Sequence, residues 1–204
     1  GEAAKFHFAY MAEKFDIVPT EDEPKVSSPY YLTLAYDEIG PDIICTDFLT
    51  EVQCDYLIQK SEAHGKWGSM EGDKFPEQEI RIKQLGLWHE YERLWHEKLG
   101  KIAEQYWVPM RHIGLRDAFT MRYAMDTQTS LGHHTDASLV TGSVKLNADY
   151  EGAELIFPRQ NFSNINVPRG RVIFLPSEVP TRTHRTSLTH GVKHSLHQCT
   201  NHNE

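Results

Sequence analysis

From Phe119 onward, short apolar stretches of strand character follow one another in quick succession, and that run restricts the fold more than any other feature. FTMRYAM, DASLVTGSVKLN, AELIF, NINV, RVIFL, TRTH and VKHSLHQ are rich in β-branched and aromatic residues and are parted by Gly, Pro and Asn. Strands this short cannot bury their apolar faces alone. With two helical stretches upstream, the pattern predicts a mainly β fold with supporting helices, a jelly-roll barrel of cupin-like form buttressed on one side.

The first of those helices is expected after Thr50, where Gln53 completes a capping-box pattern and Gly65 offers a stop; Val52, Tyr56, Leu57 and Ile58 form its apolar stripe. The second carries Trp88, Tyr91, Leu94, Trp95, Leu99, Ile102, Ala103 and Tyr106 at helical intervals, a stripe suited to packing under a sheet. Upstream, YYLTLAY and DIICTDF read as strands joined at a Gly40-Pro41 turn and added to the sheet edge. Residues 1–29, with the loop-like EDEPKVSSP, read as an extension or arm, and residues 30–204 as the main domain. The polar segment 68–78 reads as a loop of lid length.

Within the strand run, GHHTDAS places His134 and Asp136 one residue apart, and His184 follows fifty positions later. Residues i and i+2 of a strand share a side, so the pair can address one metal ion while Thr135 and His133 face away. Two histidines and a carboxylate on one face of an octahedral ion form the facial triad of Fe(II), which leaves positions open for chemistry. In a chain with 12 histidines the pair alone would mean little. A barrel gives it meaning, because closure brings an early strand beside a late one. His190, His194, His197 and His202 read as a solvated, His-rich tail strand rather than a second metal site.

Nine residues beyond His184 stands Lys193, followed two later by Ser195. On a strand beside the metal, such a cation suits the far carboxylate of 2-oxoglutarate, acting as a point charge rather than a bidentate fork. Tyr123, on the strand before the metal pair, could donate a phenolic hydrogen bond to the same co-substrate. Lys145 admits two readings, inward as a further cation or outward into solvent.

The stretch RYAMDTQTSLGHHTDAS, followed by SVKLN, DYEGAELIF, PRG and TRTH, resembles the catalytic domain of the procollagen lysyl hydroxylases, members of the Fe(II)/2-oxoglutarate oxygenase superfamily. FLTEVQCDYLIQKSEAHGKW and EIRIKQLGL extend the likeness upstream, to roughly residues 38–199. The resemblance implies a double-stranded β-helix, iron ligation by His134, Asp136 and His184, and 2-oxoglutarate binding at the end of the late strand. It implies hydroxylation of a peptidyl side chain, with lysine first and proline or a small molecule such as a free amino acid as alternatives. Succinate and carbon dioxide would be released, with ascorbate as reductant. One departure stands out: lysyl hydroxylases usually carry Arg ten beyond the distal His, where this chain has Lys193 at nine. A non-catalytic barrel that only binds is the reading from another class.

Charge narrows the partners. A net charge of −8 and a pI near 5.8, without a basic patch, argue against nucleic acid. The expected partners are a peptide or small-molecule substrate and dioxygen, with a homodimer as the assembly to test. No apolar run approaches a membrane span and no secretory signal is visible, and the compartment reads as cytoplasmic or unknown. Cys45, Cys54 and Cys199 are scattered and read as buried thiols, and Asn161-Phe162-Ser163 matches a glycosylation sequon.

Overall fold

The computed structural model describes residues 36–68, 78–106, 113–134, 138–158, 160–176 and 183–202. Segment 1–35, with the expected arm and most of the first strand, lies outside them, as does most of the expected lid loop.

Thirteen strands are seen among these residues. β1 (Asp37–Gly40) and β2 (Ile43–Asp47) form a hairpin at the Gly40-Pro41 turn. Helix α1 (Glu51–His64) follows, then β3 (Glu79–Arg81), α2 (Trp88–Trp95), a π-helical turn (His96–Gly100) and α3 (Lys101–Tyr106). The remaining strands are β4 (Ile113–Ala124), β5 (Leu131–His134), β6 (Val140–Lys145), β7 (Glu151–Gly152), β8 (Leu155–Phe157) and β9 (Phe162–Ser163). β10 (Arg171–Pro176), β11 (Thr183–Arg185), β12 (Leu188–His190) and β13 (Val192–His202) complete the series.

Seven strands form one antiparallel sheet in the order β1-β2-β10-β6-β13-β4-β3, and four form a second in the order β5-β11-β8-β9. From β4 onward the chain passes repeatedly from one sheet to the other, which is the winding of a double-stranded β-helix. The inner faces meet where Ile43, Ile173 and Leu175 of the large sheet pack on Leu155 and Phe157 of the small one. Burying these side chains contributes roughly 1.5–3 kcal/mol each.

The outer face of the large sheet carries the helices. Thr50 caps α1: its hydroxyl accepts from the Gln53 amide at 3.2 Å while its own amide donates to Gln53 Oε1 at 2.9 Å. Gly65 ends the helix at φ 67°, a left-handed conformation that costs glycine little. The buried face shares only Leu57 with the expected apolar stripe. It consists of Gln53, Cys54, Leu57 and Ser61, while Val52 is 53% exposed. The capping box and the polar contacts of α1 with the sheet set its rotation. In α2, Tyr91, Leu94 and Trp95 are buried as expected, and the Tyr91 hydroxyl donates to Gln198 Oε1 on β13. The expected single helix is interrupted by the π turn, where Gly100 packs so close to Trp95 that a Cβ would lie 3.2 Å from its ring.

NINV is not a strand. The side chain of Asn164 accepts from the Leu155 amide at 2.8 Å and its backbone carbonyl accepts from Val167 at 3.0 Å, so the segment turns instead of pairing. The cysteines are buried and free, as read from the sequence.

Candidate active site

β13 lies between β4 and β6, so alternation divides its side chains cleanly between two environments. His194, Leu196 and Gln198 turn toward the helices. Lys193, Ser195 and His197 turn into the barrel. Across the ladders Lys193 stands opposite Tyr123, while Ser195 stands opposite Met121 on one side and Lys145 on the other. All four residues singled out for the co-substrate therefore share one face of the sheet.

Lys193 is 0% exposed, so it is no solvated strand-end lysine. Its ammonium donates to the carbonyl of Ala153 at 2.5 Å and lies 5.1 Å from the ring centroid of Tyr150. Tyr123 is equally buried and packs with Met121, Ala153 and Leu188. The Ser195 hydroxyl is buried and has no hydrogen-bond partner among the described residues, an unusual condition for a core hydroxyl. Lys145 starts in the same register, yet its ammonium donates outward to the carbonyl of Ile165 at 3.0 Å. There it lines an open cleft of about 420 Å³ with Tyr150, Glu154 and Arg169.

The two expected histidine ligands lie on neighbouring strands of the small sheet. His134 is the last residue of β5 and stands opposite Thr183, the residue before His184 on β11, with a register irregularity just beyond. Fifty residues of sequence separation thus become adjacent backbone. Asp136 and the side chains of His133, His134 and His184 lie outside what the structure describes, and among the described residues no three His, Cys, Asp or Glu side chains converge as a metal site.

The tail histidines are not a solvated set. His194 Nε2 lies 2.6 Å from Glu62 Oε1 on α1, and the same carboxylate lies 3.3 Å from Arg122 Nε on β4. His197 stacks on Phe119 at 5.8 Å, while His190 is exposed beside Glu151. β13 is a central strand, and its outward-facing residues lie under the helices, His194 against α1 and Gln198 against α2. Sequence reasoning also missed Tyr150 and Ala153, whose contact with Lys193 spans some forty residues. The signal available was an aromatic residue just before the Gly152 turn.

The group fits on chemical grounds. A buried ammonium and, two residues on along the same face of β13, a buried hydroxyl with no partner among the described residues offer donors to a carboxylate, and the barrel turns this face toward the sheet that bears both histidines. The fold is that of the Fe(II)/2-oxoglutarate oxygenases. In structure, the chain is similar to a viral collagen prolyl hydroxylase from Paramecium Bursaria Chlorella virus-1 solved as a 2OG complex, with a TM-score of 0.60 at 18% identity over 81% of this chain and 98% of that one. A Pseudomonas putida prolyl-4-hydroxylase gives the same TM-score at 12% identity, over 80% and 94% of the two chains.

In sequence, the relatives are lysyl enzymes. The chain is 32% identical over 142 residues to procollagen-lysine,2-oxoglutarate 5-dioxygenase 1 of Homo sapiens, covering 63% of this chain and 19% of the relative. It is 26% identical over 170 residues to procollagen-lysine,2-oxoglutarate 5-dioxygenase of Drosophila melanogaster, covering 76% and 24%. The chain therefore spans about a fifth to a quarter of the length of these curated relatives. No family model matches it. Among the described residues no helix is long and apolar enough to cross a membrane.

Proposed function

We propose that this chain is an Fe(II)- and 2-oxoglutarate-dependent hydroxylase that acts on a peptidyl side chain, with lysine in a collagen-like peptide as the first substrate to test. The observation that carries the reading is the wholly buried Lys193 on the inner face of the barrel, which shares that face with Ser195, whose hydroxyl has no partner among the described residues. Burying an ammonium costs on the order of several kcal/mol. A barrel kept only as a scaffold gains nothing from that cost, which speaks against a non-catalytic module.

In this reading His134, Asp136 and His184 hold the iron, and Lys193 takes the far carboxylate of 2-oxoglutarate. Ser195 and Tyr123 supply neutral hydrogen bonds to the same end, while Lys145 serves the surface cleft. The bound iron and co-substrate would supply the oxidising power, with dioxygen consumed and succinate and carbon dioxide released. The protein's own part is to fix the co-substrate's length axis and to keep water from its charged end. Apolar Met121 and Leu188, packed with Tyr123 and Ala153, serve the second task.

The lysyl reading follows the sequence relatives, and a prolyl alternative is favoured by the neighbours in structure. Succinate formation from 2-oxoglutarate in air, with Fe(II) and ascorbate, separates them when lysine-containing and proline-containing collagen-like peptides and free lysine are compared. Stimulation by the lysine peptide is expected. Stimulation by the proline peptide alone moves the substrate, stimulation by free lysine alone removes the peptide, and no succinate at high 2-oxoglutarate under any condition overturns the oxygenase.

A further inference from the structure

The turn between β6 and β8 is built to an unusual tolerance. Gly152 and Ala153 are consecutive left-handed residues, at φ 81° and 54°, and Ala153 is fully buried although it has a Cβ. That conformation is costly for a non-glycine residue and persists only where the surroundings enforce it. Here they do. A Cβ on Gly152 would fall 2.2 Å from the carbonyl oxygen of Ser187, and one on Gly191 would fall 2.7 Å from that of Asp149 and 3.1 Å from Tyr150 Cα. The backbone strands on either side are therefore pressed against the turn.

Asn147 couples the turn to β13. Its side-chain amide donates to Asp149 Oδ1 and to the carbonyl of Val192, both at 2.7 Å, and its side-chain oxygen accepts from the His194 amide at 2.8 Å. One buried amide thus fixes the start of the turn and the residues before and after Lys193. The outcome is that the Ala153 carbonyl and the Tyr150 ring both meet the Lys193 ammonium.

We infer that Tyr150, together with the Ala153 carbonyl, is a positioning residue that holds the Lys193 ammonium in one place, so that it meets the far carboxylate of the co-substrate already oriented. The inference rests on the co-substrate reading given above. A lysine side chain has many rotamers to lose, and losing them before the ligand arrives removes that entropic cost from binding. A carbonyl and an aromatic face suit the task because both attract the cation without carrying a formal charge themselves. A carboxylate in their place would neutralise it.

The test is 2-oxoglutarate binding to the metal-loaded chain by calorimetry, with Mn(II) replacing iron so that nothing turns over. Tyr150→Leu should weaken binding about tenfold, whereas Tyr150→Phe, which keeps the aromatic face, should stay within about threefold of the unaltered chain. In turnover with Fe(II), Tyr150→Leu should raise KM for 2-oxoglutarate and leave kcat at saturation unchanged. In a Lys193→Met background, adding Tyr150→Leu should change nothing further. A ligand-free readout stands beside these: the ε-methylene protons of Lys193, assigned by their loss in Lys193→Met, should be shifted upfield by the ring in the unaltered chain and in Tyr150→Phe but not in Tyr150→Leu.

The two failures are distinguishable. No binding by the unaltered chain, or none of the expected loss in Lys193→Met, overturns the co-substrate reading and the inference with it. If Lys193→Met loses binding while Tyr150→Leu does not, or if the two substitutions add, the positioning role alone is overturned.

Discussion

The hydroxyls of Ser61 and Thr120 lie 2.8 Å apart, fully buried, between residues 59 positions apart in the chain. Thr120 also donates to the carbonyl of Ile80 at 3.3 Å, so Ser61 is the donor of the pair. A single short relay pins α1 to the outer face of β4, the strand that carries Tyr123, and ties it to the neighbouring β3. Ser61→Ala should cost about 1 kcal/mol. Thr120→Val, which strands the Ser61 hydroxyl in the interior, should cost about 1–3 kcal/mol. Urea denaturation checks the order, and a Ser61→Ala cost equal to or above that of Thr120→Val would show that the relay is not the cause.

Metal dependence follows from the proposed triad. His134→Ala and His184→Ala should each abolish stabilisation by Fe(II) or Mn(II) while leaving the circular dichroism of the apo chain unchanged. A chelator should lower the melting temperature of the loaded, unaltered chain and have no effect on either variant. Metal stabilisation that survives His184→Ala would remove that residue from the site.

At the charged end of the co-substrate, Lys193→Met should raise the 2-oxoglutarate requirement at least tenfold, as expected when one partner of a desolvated charge pair is lost. Ser195→Ala should have a smaller effect of about threefold, the worth of one neutral hydrogen bond. Lys145→Met should have none, because its ammonium serves the Ile165 carbonyl. Initial-rate kinetics over a range of 2-oxoglutarate concentrations gives the ranking, and a large effect at Lys145 would reverse it.

Burial pushes the Cys54 thiol up to about 11, against the opposing pull of the Arg169 guanidinium. The unfolded thiol titrates near 8.5. Between those values the folded state keeps a proton that the unfolded state has released, so stability is fully present below about pH 8.5 and is lost as pH rises toward 11. Folded protein should therefore resist iodoacetamide at Cys54 at pH 8.5 and react in urea. Cys54→Ala should flatten the alkaline loss of stability; an unchanged slope would place its origin elsewhere.

Gly191→Ala should destabilise by about 1–3 kcal/mol, since φ is 78° there and the added Cβ would meet the backbone of Asp149 and Tyr150. Thermal unfolding measures it. A neutral result would show that the turn yields easily.

How much of this could be read from the chain depended on the range of the interaction concerned. Strand alternation and the capping box are local, and β6, β10, β13 and the Thr50 cap lie where the pattern put them. The rotation of α1 was not legible, because Gln53 and Ser61 are buried for their hydrogen bonds and hydropathy says nothing of those. His194 was misread because its partner, Glu62, lies 132 residues away. Asn164 hid a turn inside a strand-like tetrapeptide by supplying a side-chain acceptor where a strand would use backbone. At the candidate site the shared side of Lys193 and Ser195 was legible from spacing, while the pairing of Tyr123 with Lys193, the outward reach of Lys145 and the contact of Tyr150 depended on long-range pairing and turns that no periodicity encodes.

The position of β13 has a bearing on how the protein comes into being. It follows every other strand in the sequence and yet lies in the middle of the large sheet, with β4 on one side and β6 on the other. Until it inserts, the sheet is two separate pieces with open edges, a state that invites pairing with the wrong chain. Such long-range closure is slow compared with local pairing. The residue proposed to receive the co-substrate is thus carried by the keystone of the sheet, so the placing of that residue and the completion of folding are one event.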